Sequence, residues 1–98
     1  MPLVLHNTST NQLYTCMLVN HYGLAYYGVK FWNEWEEAET GAPEFLASQS
    51  VDEPSQWQLM EIQENEMKIC NVKLRNSAQW QLYWSLETRK PEVRKLEI

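Results

Sequence analysis

Hydrophobic and polar positions along this chain fall mostly into short runs with the twofold period of β-strands, broken by one stretch of helical character. The cleanest alternation spans residues 79–86. There Trp80, Leu82, Trp84 and Leu86 point one way, and Gln79, Gln81, Tyr83 and Ser85 the other. Residues 3–6 form a short apolar run before the turn formers Asn7-Thr8-Ser9-Thr10-Asn11, which predicts a first strand and a turn. Residues 13–19 and 24–32 are two arms rich in aromatic and β-branched side chains, flanking Asn20-His21-Tyr22-Gly23. Two such runs joined by a short Gly-containing segment predict a β-hairpin. In the first arm Leu13, Met17 and Val19 share one face, Tyr14, Cys16 and Leu18 the other. Both faces are apolar, so a central strand covered on both sides is expected. Gly28, inside the second arm, marks a bulge or a close approach.

The helical stretch follows. Asn33 is a suitable N-cap with Glu36 three positions on, and Glu34, Glu36 and Glu37 suit the positive end of a helix dipole. Trp35 and Ala38 are expected to pack on the sheet, Gly41 to end the helix, and Pro43 to open a second short turn through Phe45 and Leu46. Residues 48–55 have loop composition. Residues 56–63 and 67–74 then read as strands about a Glu64-Asn65 turn, leading into the strand at 79–86 as a meander. The echo Ser55-Gln56-Trp57-Gln58-Leu59 and Ala78-Gln79-Trp80-Gln81-Leu82 suggests two strands flanking one central strand. In the tail, residues 88–98, Pro91 disfavours a central position, leaving an edge strand carrying Val93, Leu96 and Ile98 or a loose end. The expected architecture is an α+β domain over residues 1–98, with a mostly antiparallel sheet of about six strands in the order β-β-β-α-β-β-β and one or two short helices. A small bent β-barrel with a helical plug is the alternative.

Charge changes this picture more than composition does. Residues 1–29 contain no Asp, Glu, Lys or Arg, whereas residues 31–67 carry ten acids and no base. Basic residues gather from Lys68 onward, and the net charge is −5. An acidic middle is a poor surface for nucleic acid, whose phosphates need clustered bases. Nothing in the chain has transmembrane length or the pattern of a secretory signal, so a cytoplasmic protein with Cys16 and Cys70 as reduced thiols is expected.

Candidate chemistry is sparse. Cys16 and His21 are spaced C-x4-H, but a metal site needs three or four converging ligands, so no metal or cofactor is expected. No nucleophile stands in a catalytic motif, and the three glycines are too scattered for a phosphate loop, so no catalytic residue is assigned. What remains is an aromatic surplus, twelve aromatics in 98 residues, beside an acidic helix start. That combination points to a non-enzymatic protein-interaction module. Tyr22, Tyr26, Trp32, Trp57 and Tyr83 are the candidate contact aromatics, and Glu34, Glu36, Glu37 and Glu39 the steering charges. Its partner is expected to be another, basic protein or a second copy. The rival readings are an acidic inhibitor that mimics nucleic-acid charge and a small-molecule or carbohydrate binder.

Overall fold

A computed structural model describes residues 1–96. Eight strands and two helices follow one another as β1 (Leu3–Asn7), β2 (Gln12–Leu13), β3 (Thr15–Val19), β4 (Ala25–Val29), β5 (Phe31–Trp32), α1 (Trp35–Ser48), β6 (Trp57–Glu61), α2 (Glu64–Leu74), β7 (Trp80–Ser85) and β8 (Lys90–Lys95). Every strand pair is antiparallel, so the fold is α+β with an antiparallel sheet. β6 borders one edge of β1; β2 and β5 share the other, and β7 and β8 continue beyond β2. Among the described residues β6 and β8 have one strand partner each, so the sheet is open and the barrel alternative is overturned.

β1 explains the layering. All five of its residues are buried, because α1 covers one sheet face and α2 the other. Leu5 packs with Ala42 and Leu46 of α1, while Val4 joins Leu13, Leu82 and Trp84 against Cys70 and Leu74 of α2. The expected strand at 3–6 is therefore the one buried on both sides.

The hairpin forms, but it leaves the sheet. Tyr14 donates its amide to the Leu5 carbonyl, and Phe31 and Trp32 then take up the same edge of β1 opposite Val4 and Leu3. Between those points the chain runs out and back as a two-stranded ribbon, β3 and β4, closed at its base by the Lys30 amide on the Tyr14 carbonyl. β3 is thus not a central strand covered on both faces; Met17 and Val19 are open to solvent. At the tip Asn20 Oδ1 accepts the amides of Tyr22 and Leu24, and Gly23 takes φ +79°, the left-handed region that glycine enters without strain. Gly28 is a close approach, since a Cβ there would lie 2.8 Å from Asn71 Oδ1 and from the Tyr26 ring.

Three further expectations are corrected. Residues 67–74 are helical, within α2. Gln63 and Glu66 form a reciprocal capping box, and Ile62 and Met67 stand at hydrophobic-staple positions and pack in one core cluster. Burial then follows Met67, Cys70 and Leu74, while Ile69 and Val72 face solvent. This is a 3.6-residue period, not alternation, and it removes the meander. α1 starts after Glu34 rather than at Asn33, Trp35 is about half exposed, and the helix runs through both Gly41 and Pro43. Gly41 is a contact glycine, because its Cβ would meet Trp32 Nε1 at 2.6 Å. Finally, β6 and β7 do not flank one central strand; β1 and β2 lie between them. The tail forms β8, an edge strand paired with β7 throughout, with Ile98 outside the described residues.

Candidate functional site

α1 buries only a narrow stripe, Ala38, Ala42 and Leu46, spaced four residues apart. Two of the three are alanines, so the helix brings little side-chain volume to the sheet. The chain then turns back sharply: Ser50 adopts φ 53°, and the Val51 amide donates to the Leu46 carbonyl. A single 3₁₀ turn at Pro54–Gln56 brings it into β6. Between helix, turn and strand lies a groove of about 610 Å³. Leu5 and Leu59 form its floor, Ala42, Pro43, Leu46 and Ala47 one wall, and Val51, Pro54 and Trp57 the other. Glu39, Ser50 and Gln58 are its polar members.

An aromatic ladder supports the Trp57 wall. Trp57 meets Tyr14 edge-on at 5.2 Å, Tyr14 meets Phe45 at 5.1 Å, and Phe45 meets Trp32 at 6.0 Å. Lys30 Nζ sits 5.0 Å from both the Trp32 and Phe45 rings, a cation–π arrangement worth about 0.5–1 kcal/mol at exposed sites. These contacts pack the groove's aromatic wall against Tyr14, Phe45 and Trp32.

Glu39 is the acid that lines the groove. Glu36, Glu37 and Glu44 on α1, with Asp52 and Glu53 after it, are exposed on the same helix and turn. Among the described residues the one ion pair is Arg89 with Glu66 (2.9 Å), so none of these acids is neutralised by a neighbour. An apolar floor beside the unpaired Glu39 favours a ligand with apolar and cationic groups.

The candidate residues do not gather in one patch. Trp57 and Glu39 meet at the groove. Trp32 lies half-buried beneath α1, against Gly41. Glu34, Glu36 and Glu37 lie at the exposed start of α1. Tyr22 stacks on His21 at the ribbon tip, ring centroids 4.0 Å apart. Tyr26 lines a mixed polar depression of about 620 Å³ beside the ribbon, together with Leu18, Lys30 and Phe31. Tyr83 lies under the Arg94 guanidinium at 4.0 Å. Sequence reasoning missed Ala42, Leu46, Ala47, Val51 and Leu59; the usable signal was the Ala38–Ala42–Leu46 spacing.

No group of three or more His, Cys, Asp or Glu side chains converges among the described residues. His6 is buried, with Nε2 bonded to Asn11 Oδ1 at 3.1 Å. Burial raises the Cys16 thiol above its ordinary range against the pull of Lys30, and pushes Cys70 up to about 12 with Glu66 adding to the effect. Neither thiol is an activated nucleophile. No protein-family model matches the chain, and comparison with curated proteins and with solved structures gives no match. No helix is long and apolar enough to cross a membrane.

Proposed function

We propose that this chain is a non-enzymatic interaction module whose α1/β6 groove receives an amphipathic segment of a basic protein. The observation that carries this reading is the pairing of an apolar groove with Glu39 in its lining and further unpaired acids on the same helix and turn. A helix laid in such a groove places its apolar side chains on Leu5, Leu46 and Leu59, and its flanking Lys or Arg side chains near the acids. The apolar contacts supply affinity, and the acids supply orientation and association rate. Pure mimicry of nucleic-acid charge fits less well, because it needs the acids but not the groove.

The test uses two synthetic amphipathic helices of about 18 residues, five turns long, one built from Leu and Lys and one from Leu and Glu. Trp57 fluorescence and amide shifts of groove residues report binding. The Leu/Lys helix is expected to bind, to weaken as salt rises, and to be lost in Ala47→Arg, which adds bulk and positive charge to an exposed wall position. Equal binding of both helices, or indifference to Ala47→Arg, refutes the reading. A chain that ignores both peptides but answers small apolar cations in the same assay is instead a small-molecule binder.

A further inference from the structure

The ribbon offers a second surface, independent of the groove. The Asn20 amide on the Leu24 carbonyl and the Lys30 amide on the Tyr14 carbonyl set the ladder's phase. Cys16–Gly28 and Leu18–Tyr26 are therefore its hydrogen-bonded pairs, and the backbone groups of Thr15, Met17 and Val19 point away from β4. On the β4 side the equivalent outward amides are covered. Tyr27 donates to Asn76 Oδ1 (2.6 Å), and Val29 to Asn71 Oδ1 (3.0 Å). On the β3 side, among the described residues, the amides of Thr15, Met17 and Val19 have no partner.

This edge also lacks the usual protection. β8 carries Pro91 and the charges Lys90, Glu92, Arg94 and Lys95, and β6 carries Glu61. β3 reads TCMLV, with neither proline nor charge, and residues 1–29 contain no Asp, Glu, Lys or Arg. An open, apolar, uncharged strand edge is a template for another strand. Met17 (60% exposed), Val19 (69%), Tyr22 (77%) and Leu24 (63%) surround it.

We propose that β3 pairs with β3 of a second copy, making a four-stranded β4-β3-β3-β4 sheet across a twofold axis at Met17. A second copy is the occupant because the edge is self-complementary. With Met17 opposite Met17, Thr15 faces Val19, and all three outward residues on each strand find partners. Charge selects the same surface. Two chains of net charge −5 repel wherever their acidic middles meet, and the ribbon lets them meet without charged groups.

Sedimentation equilibrium over a concentration series tests this. A monomer–dimer equilibrium is expected that tightens as salt rises, the opposite of the groove's response, because screening relieves repulsion between the bodies. Met17→Lys sets like charges across the axis and is expected to raise the dissociation constant roughly tenfold or more. In a Cys16→Ser background, Met17→Cys is expected to be oxidised by dissolved oxygen to a disulfide-linked dimer, since Cα atoms of such a pair lie about 5.5 Å apart, within disulfide reach. Tyr22→Cys at the tip is expected to cross-link far less. A strictly monomeric chain, a dimer indifferent to Met17→Lys, or equal cross-linking at positions 17 and 22 overturns the proposal. None of these results depends on whether the groove binds a peptide.

Discussion

Gly41→Ala sets two effects of known size against each other. Alanine is better than glycine inside a helix by about 1 kcal/mol, so at an exposed α1 position the change stabilises. At Gly41 the new methyl carbon would lie 2.6 Å from Trp32 Nε1 and 3.3 Å from Cε2, where carbon contacts settle at about 3.5–4.0 Å. The indole has little freedom to retreat, being edge-on to Phe45 and capped by Lys30. Overpacking of this kind costs about 1–3 kcal/mol, and disturbing the Trp32–Phe45 pair adds about 0.5–1.5 kcal/mol. Packing wins, for a net loss centred on about 2 kcal/mol within a span of roughly 0.5–3.5 kcal/mol. In a chain of this length that lowers Tm by about 5–15 °C. Thermal melts followed by circular dichroism read the sign directly, with exposed Thr40→Ala as the propensity control. The decisive comparison is the same change in a Trp32→Ala background, where it should stabilise by about 1 kcal/mol. A Tm increase for Gly41→Ala in the otherwise native chain would refute the claim that α1 is pressed against Trp32.

Other outcomes are equally specific. Ellman's reagent at pH 8 should titrate Cys16 and leave Cys70 untouched until the chain unfolds, because a thiol at about 12 in place of 9.0 holds about a thousandfold less thiolate; two equally fast thiols would contradict the α2 packing. The stability tied to Cys70 is present below its ordinary range and declines as pH rises above it, since the unfolded chain loses that proton first. For Glu66, burial pushes the carboxyl up, but the Gln63 amide and Arg89 guanidinium outweigh it and hold the group below the ordinary carboxylate range. Its contribution is therefore present above that range and fades as pH falls through it; Glu66→Gln should cost about 1 kcal/mol at neutral pH in urea unfolding, and less in acid. Leu82→Ala removes a fully buried side chain paired with Leu13 and Val93 and should cost about 2–5 kcal/mol in the same assay.

The α+β class, the hairpin, the strands at Leu3–Asn7, Trp57–Glu61 and Trp80–Ser85, and the exclusion of the tail from a central position were legible from the chain alone. Each rests on local chemistry: alternation, turn residues such as Asn20 and Gly23, and the missing amide of Pro91. α2 was misread as a turn and a strand. Met67, Ile69, Cys70, Val72 and Leu74 fit both a twofold and a 3.6-residue period, and only the core shows that Ile69 and Val72 stay outside. Gly41 misled for a similar reason, because a glycine that ends a helix and one that admits a neighbouring indole look alike in sequence. Tertiary structure alone decided that the hairpin leaves the sheet as a ribbon and that α1 leaves a groove beside β6. Both depend on which residues far apart in the chain touch. Leu5 meets Leu46, and Tyr27 meets Asn76, through contacts that no local period encodes.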